Sequence, residues 1–344
     1  MRAISLVLAL FMTLSPFSLI SLSTNNIPAM FPPVHGKHVV PGEYVNPYLY
    51  YSSPPAPGGI ASFGLFNYSG KVTPYIITTN KVLGYTNVSN LLAYYKMARK
   101  YGVNPYSATL QMNVVLQVNT THGTFAYWLQ DVGSFQTNNN QVTFIDNIWN
   151  LTGNPSVLSS SAVSGNGKVA SAGGGNTFYY DVGPTYTYHY PFSYVYVVNV
   201  SYTSSSLSIW FGYEILQNGK PVSSPQVQYY DEVTIKQSGI VSAAITVNGN
   251  VYTPDGLYYD AELVWGGGGN GAPTQFVNLN DTLGLYYVNS TGKITPFPSL
   301  YTFGSDTGES AYNVHDTLVN GVPEAYAGTE VLTFLTNQFT VLLI

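Results

Sequence analysis

The sequence predicts an all-β protein built as two related sandwich- or barrel-like lobes, and three observations carry that expectation. Short apolar and aromatic runs alternate with turn residues about every 8–12 positions, the spacing of sandwiches and barrels. Aromatic residues make up 15% of the chain, with 31 Tyr, 16 Phe and 4 Trp, so large side chains with polar tips supply the core. Segments also recur in order along the chain, which points to an internal duplication.

At the N-terminus, Arg2 precedes an apolar run from Ala3 to Leu22, broken by Pro16. One positive charge, an apolar centre and a small-residue exit describe a secretory signal peptide over residues 1–23. Residues 24–57 are rich in Pro, Asn and Tyr and end in Pro54-Pro55-Ala56-Pro57, as a linker or pro-segment does. A first β lobe over 58–200 and a second over 201–344 then follow. Strands are expected at Gln111–Val118, Phe125–Val132, Val142–Ile148, Tyr194–Tyr202, Ser206–Ile215 and Val227–Ile235. Asn218-Gly219 and Asn248-Gly249 are hairpin dipeptides. One helix is expected over Leu91–Tyr101, capped by Asn90 and stopped by Gly102. The apolar end of the chain, Val331 to Ile344, reads as a terminal strand.

Charge is scarce in this chain. Only 8% of residues are Asp, Glu, Lys or Arg, against about 25% in ordinary domains. Asn, Gln, Ser, Thr and Tyr fill the gap and keep hydrogen bonding in acid. When the 16 carboxyls protonate, 11 Lys and Arg and 5 His remain, so self-repulsion at low pH is mild. The composition therefore points to work in strong acid. With no cysteine there is neither a disulfide framework nor a thiolate metal site.

The repeats place acids in matching positions. Trp128 with Phe144-Ile145-Asp146 recurs as Trp210 with Tyr229-Tyr230-Asp231. Gly165-Asn166-Gly167 with Tyr179-Tyr180-Asp181 recurs as Val247-Asn248-Gly249 with Tyr258-Tyr259-Asp260. Gly64-Leu65-Phe66 with Thr73-Pro74-Tyr75 recurs as Gly284-Leu285-Tyr286 with Thr295-Pro296-Phe297.

Most enzyme signatures are absent. There is no H-E-x-x-H, G-x-S-x-G or phosphate loop, and no basic aromatic strip for nucleic acid. His35, His38, His122, His189 and His315 are scattered, so no zinc centre and no cofactor are expected. In acid a histidine base is protonated, which leaves carboxyls to activate water. Two carboxyls sharing one proton suit that task, one ionised and one protonated. Asp260-Ala261-Glu262 runs into Gly266–Gly271, and Asp306 and Glu309 stand in Gly304-Ser305-Asp306-Thr307-Gly308-Glu309. The expected catalytic set is Asp306 and Glu309 acting with Asp260 or Glu262. The rival is a symmetric pair, Asp146 with Asp231.

Six segments together resemble the thermopsin family of archaeal secreted acid proteases. They are Pro57–Gly64, Leu110–Val118, Tyr127–Val132, Phe144–Asn150, Asp260–Gly271 and Gly304–Val314. The resemblance implies an endopeptidase active in acid and heat, made with a leader and pro-segment and secreted to meet protein substrates. It names the reaction and not the residues. A monomer loosely associated with the cell surface is expected. The other readings are a non-enzymatic adhesive β glycoprotein, compatible with seven N-x-S/T sites at Asn67, Asn87, Asn119, Asn150, Asn199, Asn280 and Asn289, and a carbohydrate-active sandwich using paired acids.

Overall fold

A computed structural model describes residues 58–62, 64–68, 71–153, 155–248, 261–297, 299–303, 309, 311–319, 322–327 and 341–342. The expected leader and linker, and most of the expected terminal strand, lie outside these residues. Among the described residues strands dominate, as the turn spacing requires, and they form two 11-stranded sheets beside one small hairpin. Among the described residues no helix is long and apolar enough to cross a membrane.

The first sheet runs in spatial order through Lys168–Gly173, Asn176–Thr187, Gln141–Asn150, Gly123–Gln136, Ser107–Thr120, Ala261–Gly267, Gly58–Ser62, Ser299–Phe303 and Val341–Leu342. The second runs through Val314–Val319, Val322–Ala327, Thr274–Val288, Lys81–Ala93, Phe192–Tyr202, Ser206–Gln217, Gln228–Lys236 and Val163–Ser164. Both sheets draw strands from both halves of the chain.

Alternation explains how the sheets face each other. In Ser107–Thr120 the residues Leu110, Met112, Val114, Leu116 and Val118 belong to the main core, together with Tyr194, Tyr196 and Val198 of Phe192–Tyr202. Such period-2 placement is what a half-buried strand needs. Phe144 is fully buried and stacks on Tyr213 at 4.1 Å between ring centroids. Phe144→Ala is expected to cost about 3–5 kcal/mol, measured by urea unfolding in acid; a loss below about 1 kcal/mol would show that the two sheets do not depend on this contact.

Tyr196 ties the sheets with a polar tip. Its hydroxyl donates to Leu110 O at 2.7 Å and accepts from the Gly133 N–H at 2.8 Å. A side chain at Gly133 would meet that oxygen at 2.5 Å, so only glycine leaves room.

The helix is shorter than expected. A 3-10 helix spans Lys96–Tyr101, and Gly102 closes it in the left-handed region at φ 74°. Asn90 is no cap, because the strand Lys81–Ala93 continues through it and pairs Asn90 with Asn280 and Leu91 with Leu279. Burying Leu91 and Ala93 in the core outweighs their helix preference. Asn218-Gly219 turns as expected, with φ of 50° and 71°. The corresponding Gly249 lies outside the described residues.

Candidate active site

Register brings three aspartates side by side. Asp131 on Gly123–Gln136 pairs with Asp146 on Gln141–Asn150, and Asp146 pairs in turn with Asp181 on Asn176–Thr187. Like charges directly opposite one another destabilise a sheet, so this ladder calls for a compensating role. The second sheet adds Asp231 from Gln228–Lys236. Carboxyl oxygens of Asp146, Asp181 and Asp231 all lie within 4.8 Å of one another.

Each acid has a distinct setting. Asp231 is buried; its Oδ2 accepts the Tyr179 hydroxyl at 2.6 Å and its Oδ1 the Asn166 N–H at 2.9 Å. Asp131 is buried and its Oδ1 accepts the Tyr230 hydroxyl at 2.9 Å. Asp146 is 0% exposed, and neither of its oxygens has a hydrogen-bond partner among the described residues. Burial, followed by the charges of Asp231, Asp131 and Asp181, pushes the Asp146 carboxyl well above the usual range. The Asp181 backbone N–H opposes that shift weakly, without completing a hydrogen bond. Burial also raises Asp131, against the pull of its hydrogen-bond donors. Asp181 is half-exposed, and burial with the neighbouring Asp231 raises it too. Asp131, Asp146 and Asp181 therefore hold their protons to higher pH than free carboxyls do, beside Asp231, which receives two donors.

Irregular backbone surrounds the cluster. The pairing of Asn176–Thr187 with Gln141–Asn150 slips between Val182 and Thr185. The pairing of Ser206–Gln217 with Gln228–Lys236 slips between Phe211 and Gly212, where Tyr230 is the extra residue. Bulges of this kind re-aim side chains and are common beside active sites. Gly165 and Asn166 form an exposed roof over Asp231. Gly165 must be glycine here, because an added Cβ would lie 2.2 Å from the Tyr179 oxygen. The Gly167 N–H donates to that same oxygen at 2.7 Å. A shallow depression elsewhere, lined by Arg99, Val103, Tyr106 and Asn138 among others, holds no carboxyl group and so offers none of this chemistry.

The glycine-flanked acids fare differently. Asp260 and Asp306 lie outside the described residues. Glu262 is fully buried on the opposite face of the first sheet. There a chain of neutral amides orients it: Asn113 Nδ2 donates to Glu262 Oε1 at 2.7 Å, and Gln130 Nε2 donates to Asn113 Oδ1 at 3.0 Å. Gln130 Nε2 also donates to Gln111 Oε1 at 3.0 Å, and Gln111 in turn to the Thr109 hydroxyl at 2.8 Å. Glu309 sits beside the glycine loop, where its Oε1 accepts the Gly271 N–H at 2.9 Å and its backbone covers Gly266. That contact ties Glu309 to the loop, four strand positions along from Glu262.

Sequence reasoning passed over Asp281. It is buried in the second sheet and accepts from the Thr86 hydroxyl, the Asn87 N–H and the Trp265 indole at 2.6, 3.0 and 2.9 Å. Burial raises its carboxyl to about 7 despite those donors. Its three well-made hydrogen bonds describe a joint between sheets. The signal that finds it is an acid inside a strongly apolar strand pattern, Leu279 to Leu285.

Five segments that carry the family resemblance are strands lying edge to edge: Gln141–Asn150, Gly123–Gln136, Ser107–Thr120, Ala261–Gly267 and Gly58–Ser62. The thermopsin family model matches residues 43–314. Thermopsin of Sulfolobus acidocaldarius is 67% identical over 309 residues, which cover 90% of each chain. A match of that extent, running through every strand that frames the aspartate cluster, means that the chain belongs to the thermopsin family of peptidases.

Proposed function

We propose that this protein is a secreted acid endopeptidase, made with a leader and a pro-segment, that hydrolyses peptide bonds through Asp146 and Asp231. The observation that carries the reading is the approach of these two carboxyls within 4.8 Å, one without a hydrogen bond and one receiving two. Asp231 takes a proton from water as the water oxygen bonds to the peptide carbon. Protonated Asp146 gives its proton to the carbonyl oxygen, neutralising the charge that develops there. The C–N bond then breaks as the proton held by Asp231 passes to the leaving nitrogen. One hydroxyl of the tetrahedral intermediate returns its proton to Asp146, which leaves a carboxylic acid, a free amine and both aspartates in their starting states. Substrate reaches the pair by displacement of the exposed Gly165-Asn166 roof. Digestion of casein by the purified protein is expected below about pH 5, where buried carboxyls retain protons. Absence of cleavage across the acid range would return the chain to the adhesive reading.

A second assignment of the same reaction places it at Glu262. Its support is the amide chain from Thr109 to Asn113, which fixes one carboxyl with groups that do not titrate, at the centre of the five edge-to-edge strands. Here Glu262 is the base for water.

A further inference from the structure

We propose that Asp146, Asp181 and Asp231 also form a binding site for a hard divalent cation of calcium's size. This site goes beyond the peptidase reading and stands without it. Carboxylate oxygens are the ligands calcium takes, at about 2.3–2.6 Å. Oxygens on opposite sides of one such ion are therefore about 4.6–5.2 Å apart. The oxygens of the three aspartates lie within 4.8 Å of one another, close enough to share one ion. Magnesium demands a tighter octahedral cage and keeps several waters, which suits this spacing less well.

A second observation points into the same space. Asp146 is 0% exposed, with both oxygens unpartnered among the described residues. Buried carboxylates ordinarily have donors, and here Asp181 and Asp231 bring further carboxyl oxygens within 4.8 Å instead. A cation supplies what the protein does not. Asp231 remains able to ligate, because each of its oxygens accepts one hydrogen bond and keeps a second lone pair. Tyr179 and Asn166 then orient this ligand from behind. Asp181 is half-exposed and marks the entry side. The acids stand on separate strands and in two sheets, so no spacing motif in the sequence announces the site.

Because the site shares Asp146 and Asp231 with the proposed dyad, ion and peptide exclude each other. The test reads binding without activity. Terbium, which takes calcium ligand sets, is titrated into the full chain near pH 6.5 with excitation of tyrosine, Tyr179 being bonded directly to Asp231. Saturable green emission is expected, displaced by millimolar calcium, and calcium alone is expected to raise the melting temperature. Asp181→Asn should weaken both effects about tenfold or more, while Glu232→Gln, an exposed neighbour of Asp231, leaves them intact. Asp146→Asn should abolish them; should that variant fail to fold, Asp181→Asn still decides, being at the half-exposed position. The proposal falls if emission does not saturate, if calcium neither displaces terbium nor raises the melting temperature, or if Asp181→Asn titrates like the wild type.

Discussion

Asp231→Asn is expected to lower kcat/KM for acid proteolysis by about 10³-fold, within the 10²–10⁴ that positioned acid–base groups contribute. The amide keeps the shape of the side chain but cannot take a proton from water. Its single oxygen can still accept the Asn166 N–H, which reaches Asp231 Oδ1 at 2.9 Å, while the Tyr179 hydroxyl, now 2.6 Å from the position of the amide nitrogen, loses its acceptor. Losing one hydrogen bond costs about 1–3 kcal/mol, so the fold should survive. Asp146→Asn removes the proton donor instead and should cost a similar factor. Residues acting as one unit are not additive, so the double variant should be little worse than either single one. Circular dichroism and melting curves in acid check that the variants are folded. Activity retained in both, together with its loss in Glu262→Gln, would transfer the reaction to the opposite face of the sheet.

The second large effect concerns stability. Burial raises the carboxyls of Asp131, Asp146, Asp281, Asp316, Glu214 and Glu324 above their ordinary values. An acid whose folded pKa exceeds its unfolded one makes the folded state bind more protons. Stability is then fully present below the unfolded value, near pH 4, and is lost as pH rises towards the folded value. For Asp281, raised to about 7, the loss between pH 4 and 7 is ~4 kcal/mol at about 1.4 kcal/mol per pH unit. That is a large share of the ~5–15 kcal/mol that keeps a domain folded. The melting temperature, measured in chelator to keep cations away from the aspartate cluster, should fall by roughly 10 °C or more from pH 3 to pH 7. In Asp281→Asn that decline should be shallower. A melting temperature that rises over this range, as in ordinary soluble proteins, would show that the buried acids are not protonated in the folded state.

Low charge and turn spacing specify a neutral-polar β protein, and the repeat sets Asp146 against Asp231. Their meeting across the sandwich depends on inward faces in both strands, and the Trp-to-Asp spacing does not carry that phase, being 18 residues from Trp128 and 21 from Trp210, with Tyr230 as an extra residue in the second. Other parts are not legible in the sequence. The ladder Asp131–Asp146–Asp181 exists only through cross-strand register, and a one-residue slip would turn each acid to the other face. Glycine richness is a poor guide to the chemistry here. Gly266 and Gly267 are needed for close packing, since a Cβ on Gly267 would lie 1.7 Å from Ala272 O. Gly269, Asn270 and Gly271 make the tight turn, with φ of 105°, 55° and 69°. Glycines beside Glu262 therefore answer backbone geometry. The expected helix start at Asn90 fails because helix signals are local, whereas the strand through Leu91 is held by a partner almost two hundred residues away.

The Tyr196 hydroxyl carries a mechanical consequence. Two broad apolar faces resist separation but offer little resistance to sliding, because the dispersion attraction given up at one position is recovered at the next. Tyr196 ends in a paired strand of the other sheet, bonded to Leu110 O and the Gly133 N–H, and the Tyr194 hydroxyl backs it at 2.6 Å. It acts as a dowel against shear, and its hold on alignment is the same from acid to neutral pH, because burial keeps the phenol uncharged there.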